Sequence, residues 1–433
     1  MKLAAGAALV LALAVAAPAS GAGGWRTISR GTLSNIADPG VLRTRAGSEL
    51  VAYGNGNAGT IELVRNGAAA KVLVSGDVAA GEPRLVQQPD GAIQLYFPGS
   101  LRIQRLTSTD DGVTWSGPVD TQAEYISPVE SAAVRPDGTP VFSVDNTAGV
   151  FVFQGLNGEL QRNVFPRCCG YAESLAVDSA GLLQTAFWSN ASPPFANYVY
   201  EALGADLTPS QPLVYSSGTQ TLSNDQRVPL VADRRGNTFA GRLDGYPVPG
   251  AFWVDRFRGG KHVGAVRLWT RFSGQTSRMA LAVEPNGDLW ALWTAQGALH
   301  AARSRSGGAH FGAIVQTSLP AGATPYQLEA LAADGSVTAY VNTGTALVAS
   351  PKLLPGLSVK LTRTVRRVGK RTLVSWSARA LDDGVGVAAA SFSAGGRSVH
   401  ANGAGVAPLG RLPRHALVSV TAPGYTAASF RSP

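Results

Sequence analysis

Seven side chains stand at a fixed distance ahead of a glycine and could together do chemistry. Asp38, Glu82, Arg227, Arg278 and Tyr326 lie nine residues before Gly47, Gly91, Gly236, Gly287 and Gly335, and Glu130 and Glu173 lie eight before Gly138 and Gly181. If the seven segments surround one axis, carboxylates from the first half of the chain face arginines from the second. Guanidinium groups offer bidentate contacts to a carboxylate, so the set reads as a polar binding site for a sugar or an acidic group. The same charges can instead pair with one another and pin neighbouring segments together, as buried charges normally do.

The elements that must position these groups form a repeat. An apolar run, a short polar turn containing Asp or Asn and Gly, and a second apolar run recur around Gly47, Gly91, Gly138, Gly181, Gly236, Gly287 and Gly335, at intervals of 43 to 55 residues. That interval is the length of one four-stranded propeller blade, and each unit is a hairpin with a glycine turn. Small residues in the first run of several units (Ala132-Ala133, Ala176, Ala280, Ala332) suit strands that converge on an axis. The expected fold is all-β: a seven-bladed β-propeller over residues 23–350, with six blades as the alternative. The last blade is short of an outer strand, which Trp25 to Ser29 would supply, closing the ring without an open sheet edge.

Residues 351–356 read as a linker, and residues 357–433 as a small β-sandwich, from alternating runs such as Lys360–Arg366 and Thr372–Trp376. This last segment resembles the immunoglobulin-like or transthyretin-like modules related to carboxypeptidase regulatory domains, which implies a holding or spacing role. It carries eleven Lys/Arg and two acids, hence the whole of the net charge of +9. An anionic partner such as a cell-wall polymer would suit it, although a merely solvated surface has the same composition. No nucleic-acid motif accompanies the charge, so nucleic acid is not expected as a partner.

Ser108-Thr109-Asp110-Asp111-Gly112-Val113-Thr114-Trp115 reads as a tight turn between two strands: Asp110 can accept backbone N–H groups, Gly112 can take positive φ, and Trp115 can return as an apolar lid. The pattern, with Ser108, Asp110, Gly112 and Trp115 at its typed positions, resembles the Asp box of sialidase-type β-propellers. Ser304 to Phe311 is a degraded copy. In that family the box is a structural turn away from the central pocket. Arg227-Val228-Pro229 resembles the family's Arg-Ile-Pro motif. The resemblance implies a carboxylate clamp from Arg227 and Arg242 completed by Arg278, Asp244 as general acid/base, and Tyr326 as a nucleophile activated by Glu173. A sialidase-like exo-glycoside hydrolase is therefore the alternative to a non-catalytic module that binds glycan or protein at the mouth.

Met1-Lys2, the apolar run Leu3–Ala17 and the small residues up to Ala22 form a signal peptide cut after Ala22, too short to span a bilayer, so a secreted or cell-surface protein without a transmembrane segment is expected. Cys168 and Cys169 are the only cysteines. In a secreted chain they suggest a vicinal disulfide, with free thiols or an intermolecular bridge as the alternatives. Tyr53, Tyr96, Phe97, Trp188 and Trp293 end second runs, and Phe195 and Tyr198 occupy a long loop. These aromatics serve either as sugar-stacking platforms or as core between blades. The five histidines show no metal spacing and no nucleotide fingerprint is present, so neither metal nor cofactor is implied.

Overall fold

The computed structural model describes residues 11–13, 24–30, 39–56, 58–76, 81–124, 128–146, 148–166, 170–190, 197–210, 213–215, 227–245, 248–272, 277–368 and 371–432. Among them every regular element is a β-strand, and no helix is long and apolar enough to cross a membrane.

Seven antiparallel four-stranded sheets take up the repeat in sequence order. Their innermost strands are Gly40–Arg43, Arg84–Gln87, Ser131–Val134, Gly170–Val177, Leu230–Ala232, Met279–Val283 and Gln327–Ala333, which define blades 1 to 7. Each innermost strand touches the next, and that of blade 7 returns to that of blade 1, so the ring is closed. The outer strand of blade 7 is Arg26–Ser29, paired with Leu347–Ala349 as the sequence suggests. Six of the inner hairpins share one turn. Its glycine, at positive φ in every case, donates to the carbonyl three residues earlier: Gly47 to Thr44 at 2.9 Å, Gly91 to Gln88 at 3.0 Å, Gly287 to Glu284 at 2.8 Å. Blade 7 uses the tighter Asp334-Gly335 pair, with φ of 53° and 75°, as a two-residue hairpin of type I′ requires.

The second strands show why the ring holds. In blade 6, Leu289, Ala291, Trp293 and Ala295 pack with the core of blades 4 and 5, whereas the alternate residues Trp290 and Leu292 pack with blade 7. In blade 1, Leu50 and Ala52 face blade 2, and Val51 and Tyr53 face blade 7. A strand buried on both faces reads as an unbroken apolar run, and its period of two sends successive side chains to opposite neighbours. Tyr53, Tyr96, Phe97, Trp293 and Tyr198 are accordingly core between blades, Trp188 is packed against it, and Phe195 lies outside the described residues.

The turn of residues 108–115, read from the sequence as resembling an Asp box, joins the third and fourth strands of blade 2. Gly112 N–H donates to Ser108 Oγ at 2.9 Å, Ser108 Oγ–H to Asp110 at 2.9 Å, and Thr114 N–H to Asp110 at 2.8 Å. Trp115 rests on the core of blades 1 and 2. These bonds hold the exposed Asp110 carboxyl down at about 2, the Thr114 hydroxyl contributing most. In the blade 6 copy Ser306 replaces the aspartate and accepts from His310 N–H at 3.0 Å.

Residues from Leu357 onward form two further sheets around one core that includes Leu361, Ala378, Phe392, Val418 and Phe430. Leu11–Leu13, inside the segment read as a signal peptide, pair antiparallel with Val359–Leu361. The residues read as a linker are bonded on both sides: Leu353 bridges Val337 of blade 7, and Gly356 bridges Ala313 in blade 6. The C-terminal sheets also reach the blade 6 turn. Asp383 accepts Arg305 N–H and Ser306 N–H, each at 2.8 Å, and the fully buried Asp382 pairs with Arg303. Truncating one partner of a buried pair strands the other charge, so Asp382→Ala is expected to lower the unfolding free energy by about 3–5 kcal/mol in denaturant titrations. Adding Arg303→Met should restore most of it; an unchanged midpoint for Asp382→Ala would remove the pair's stabilising role.

Candidate functional site

The converging innermost strands enclose a central channel of about 710 Å³. Its walls are small or aliphatic, among them Ala132, Leu175, Leu230, Ala280 and Ala330. Among the described residues its charged lining is Arg43, Arg45, Arg84, Arg227, Arg234 and Arg278 with the carboxylate Glu329, and Arg43 pairs with Asp334 at 2.7 Å. Arg43, Arg45 and Arg234 belong to the glycine-turn end. Arg84, Arg227 and Arg278 stand where the chain comes into the innermost strands.

At that second end the charges are tied across the axis. Arg84, nearly fully buried, holds Glu82 at 2.5 Å and donates through Nε to the Glu130 carbonyl at 2.8 Å. Arg227 of blade 5 donates to the same carbonyl at 3.2 Å and pairs with Glu329 of blade 7. Gln327 of blade 7 reaches Glu82 of blade 2 at 3.5 Å. Arg278 donates to the carbonyls of Tyr326 and Ser277. The mouth is a hydrogen-bonded ring spanning blades 2, 3, 5 and 7, in which arginine is fixed by the chain's own oxygen atoms. Arg227, Arg278, Glu82 and Glu130 are thus brought together as their spacing suggests, and Asp38 lies outside the described residues. Arg84, Gln327 and Glu329 were missed. The signal available was polar alternation within the first run of a unit, with Gln327 and Glu329 two residues apart on one side of a strand.

The hydrolase constellation is not assembled. Arg242 lies inside blade 5, bonded to Asp244 at 2.5 Å and Asp255 at 2.6 Å, and neither Arg242 nor Asp244 lines the channel. The correction has a plain cause: Arg242 sits on a second strand buried between blades, where a guanidinium must be paired. Tyr326 also stands outside the channel lining, its exposed ring lying over Gly344. Glu173 is completely buried, accepting from Thr185 at 3.4 Å. Burial first, and the nearby Asp145 second, push its carboxyl well above the ordinary carboxylate range. Cys168 and Cys169 lie outside the described residues. Among those described, no group of three His, Cys, Asp or Glu is arranged to hold a metal.

No protein-family model and no curated protein matches the chain. Among solved structures it is similar to a catalytically inactive virginiamycin B lyase from Staphylococcus aureus with quinupristin, at 12% identity and a TM-score of 0.50 over 75% of this chain and 97% of that one. The fold is a β-propeller. A streptogramin B lyase (13%, TM-score 0.49, 76% of this chain and 96% of that one) and YCF48 bound to D1 peptide (14%, 0.48, 77% and 97%) are also similar. At such identities the likeness of a propeller to these proteins speaks for architecture alone.

Glu201 of blade 4, which burial pushes up to about 8, adds a second carboxyl near Glu173. Both hold a proton in the folded chain at pH values where the unfolded chain has released it. Their stabilising effect is complete below the ordinary carboxylate range and is lost as pH rises, through about 8 for Glu201. The slope is at most about 1.4 kcal/mol per pH unit for each group. Unfolding measured from about pH 5 to pH 9 should show stability falling, and Glu201→Gln should flatten the fall at the alkaline end.

Proposed function

We infer that the chain is a secreted, non-catalytic binding protein whose propeller takes an acid-bearing ligand, a glycan or a peptide, at the mouth of the central channel. The observation that supports this reading is the lining: among the described residues, six arginines and the carboxylate Glu329 around a space of about 710 Å³. That volume suits a small ligand or an inserted side chain, and guanidinium groups lining it can make charge-assisted contacts to a carboxylate. Secretion rests on the pattern of Met1–Ala22. The basic C-terminal sheets provide a second surface for an anionic partner, separate from the mouth.

Catalysis finds no support in the same geometry. The ring at the mouth holds its arginines with backbone carbonyls and paired carboxylates, and the residues offered as acid/base, nucleophile and activating base lie apart from the channel lining.

Arrays of acidic glycans and acidic peptides test the reading. Arg278→Gln is expected to weaken the captured ligand about tenfold or more, the size of one lost charge-assisted contact, with only a small fall in the unfolding midpoint from the lost bonds to the Tyr326 and Ser277 carbonyls. Release of fluorophore from a sialoside, abolished by Asp244→Ala, would overturn it in favour of a hydrolase.

A further inference from the structure

The longest strands of the molecule, Ser358–Val368 and Arg371–Asp382, form one antiparallel ribbon. Near its base it has neighbours on both edges: Leu11–Leu13 beside Val359–Leu361, and Val406–Gly410 beside Trp376–Arg379. Beyond Leu361 and Trp376 the two strands pair only with each other among the described residues. Seven residues of free strand, Thr362 to Val368, extend about 20 Å. A two-stranded ribbon of this kind is marginal in water without something to rest on.

Its side chains say what that is. Thr362 to Arg367 are all exposed, as are Arg371, Thr372 and Leu373. Arg363, Arg366, Arg367 and Arg371 form no ion pair with a described carboxylate, whereas the acids of this region, Asp382 and Asp383, are spent on blade 6. Aliphatic side chains are interleaved with the arginines, Val365 at 54% and Leu373 at 44% exposure. Directly paired residues share a face. Arg363 with Trp376, Val365 with Val374 and Arg367 with Thr372 make one face, and Arg366 with Leu373 the other. Both faces therefore carry cation and hydrocarbon together. A surface for a soluble polyanion draws on the arginines alone and gains little from the exposed aliphatics. A tip that dips into a lipid headgroup layer needs apolar groups on both sides, with cations at phosphate level.

We propose that the end of this ribbon is a membrane-interface anchor, inserting Val365 and Leu373 among anionic lipid headgroups while Arg363, Arg366, Arg367 and Arg371 bind their phosphates. This surface is independent of the channel and of what the channel holds. It places the propeller close to an acidic bilayer.

Flotation with phosphatidylcholine vesicles, with and without phosphatidylglycerol, tests the assignment. The full chain and the chain starting at residue 23 are both used, because the apolar run Leu3–Ala17 can itself enter lipid. Both should bind the acidic vesicles and release as salt is raised. Replacing the four arginines by Gln should weaken binding by nearly three orders of magnitude, about 600-fold, since each cation near an anionic surface contributes roughly fivefold. Val365→Asp with Leu373→Asp should weaken it at least about tenfold while leaving the arginines in place. These positions are exposed, so unchanged unfolding midpoints will show that the fold survives. Failure of the shorter chain to bind acidic vesicles overturns the proposal. So does binding that ignores the Val365 and Leu373 changes and is matched by soluble polyphosphate, which would make the ribbon a polymer-binding surface.

Discussion

Closure of the ring is the constraint on which the rest depends. Each second strand buries one face against the blade before it and the other against the blade after it, so no blade has a core of its own. A sheet in that position is stable only when both neighbours are present; the first and last blades meet through their innermost strands and a shared core, and Arg26–Ser29 completes the last sheet beside Leu347–Ala349. Four residues near the start of the chain thus supply the edge that would otherwise be open.

The same convergence shapes the electrostatics. Innermost strands of Ala, Ser and Leu approach closely enough to leave a narrow lumen, and the loops leading into them are forced together at one end. Charged groups crowded there lose water and must find partners. Arg84 with Glu82, and Arg227 with Glu329 and the Glu130 carbonyl, are that outcome, and the Arg227 contacts join blades far apart in sequence. The ring at the mouth is at once a structural tie and the source of the channel's positive character, because its acids are fewer in the lining than its arginines.

Blade 6 shows how the two parts of the chain came to depend on each other. Its turn keeps the serine and glycine of the blade 2 box but lacks the aspartate, and Ser306 supplies only part of that capping. The amides of Arg305 and Ser306 are satisfied from outside, by Asp383. With Asp382 on Arg303, the two acids of the basic segment are consumed at the junction, which leaves the positive charge of the ribbon undiluted at the far end.

Much of this was legible in the residues. Glycine spacing with flanking apolar runs gave the blades, because a hairpin turn at positive φ and a strand buried on both faces are local demands that show in local sequence. The closing strand and the position of Glu82, Glu130, Arg227 and Arg278 at one end followed from the register of the repeat. What a repeat cannot convey is which of two faces a side chain takes once neighbours press on it. Arg242 and Asp244 carry the right chemistry for a clamp and an acid, yet lie on a strand between blades and neutralise each other there. Glu173 is offset by an irregularity in the pairing of its strand with Leu183–Ser189 and ends up fully buried. Pairing across hundreds of residues, as between Arg227 and Glu329 or Asp383 and the blade 6 turn, is decided by three-dimensional packing alone, since the strength of a charge contact depends on distance and burial and leaves no mark on composition.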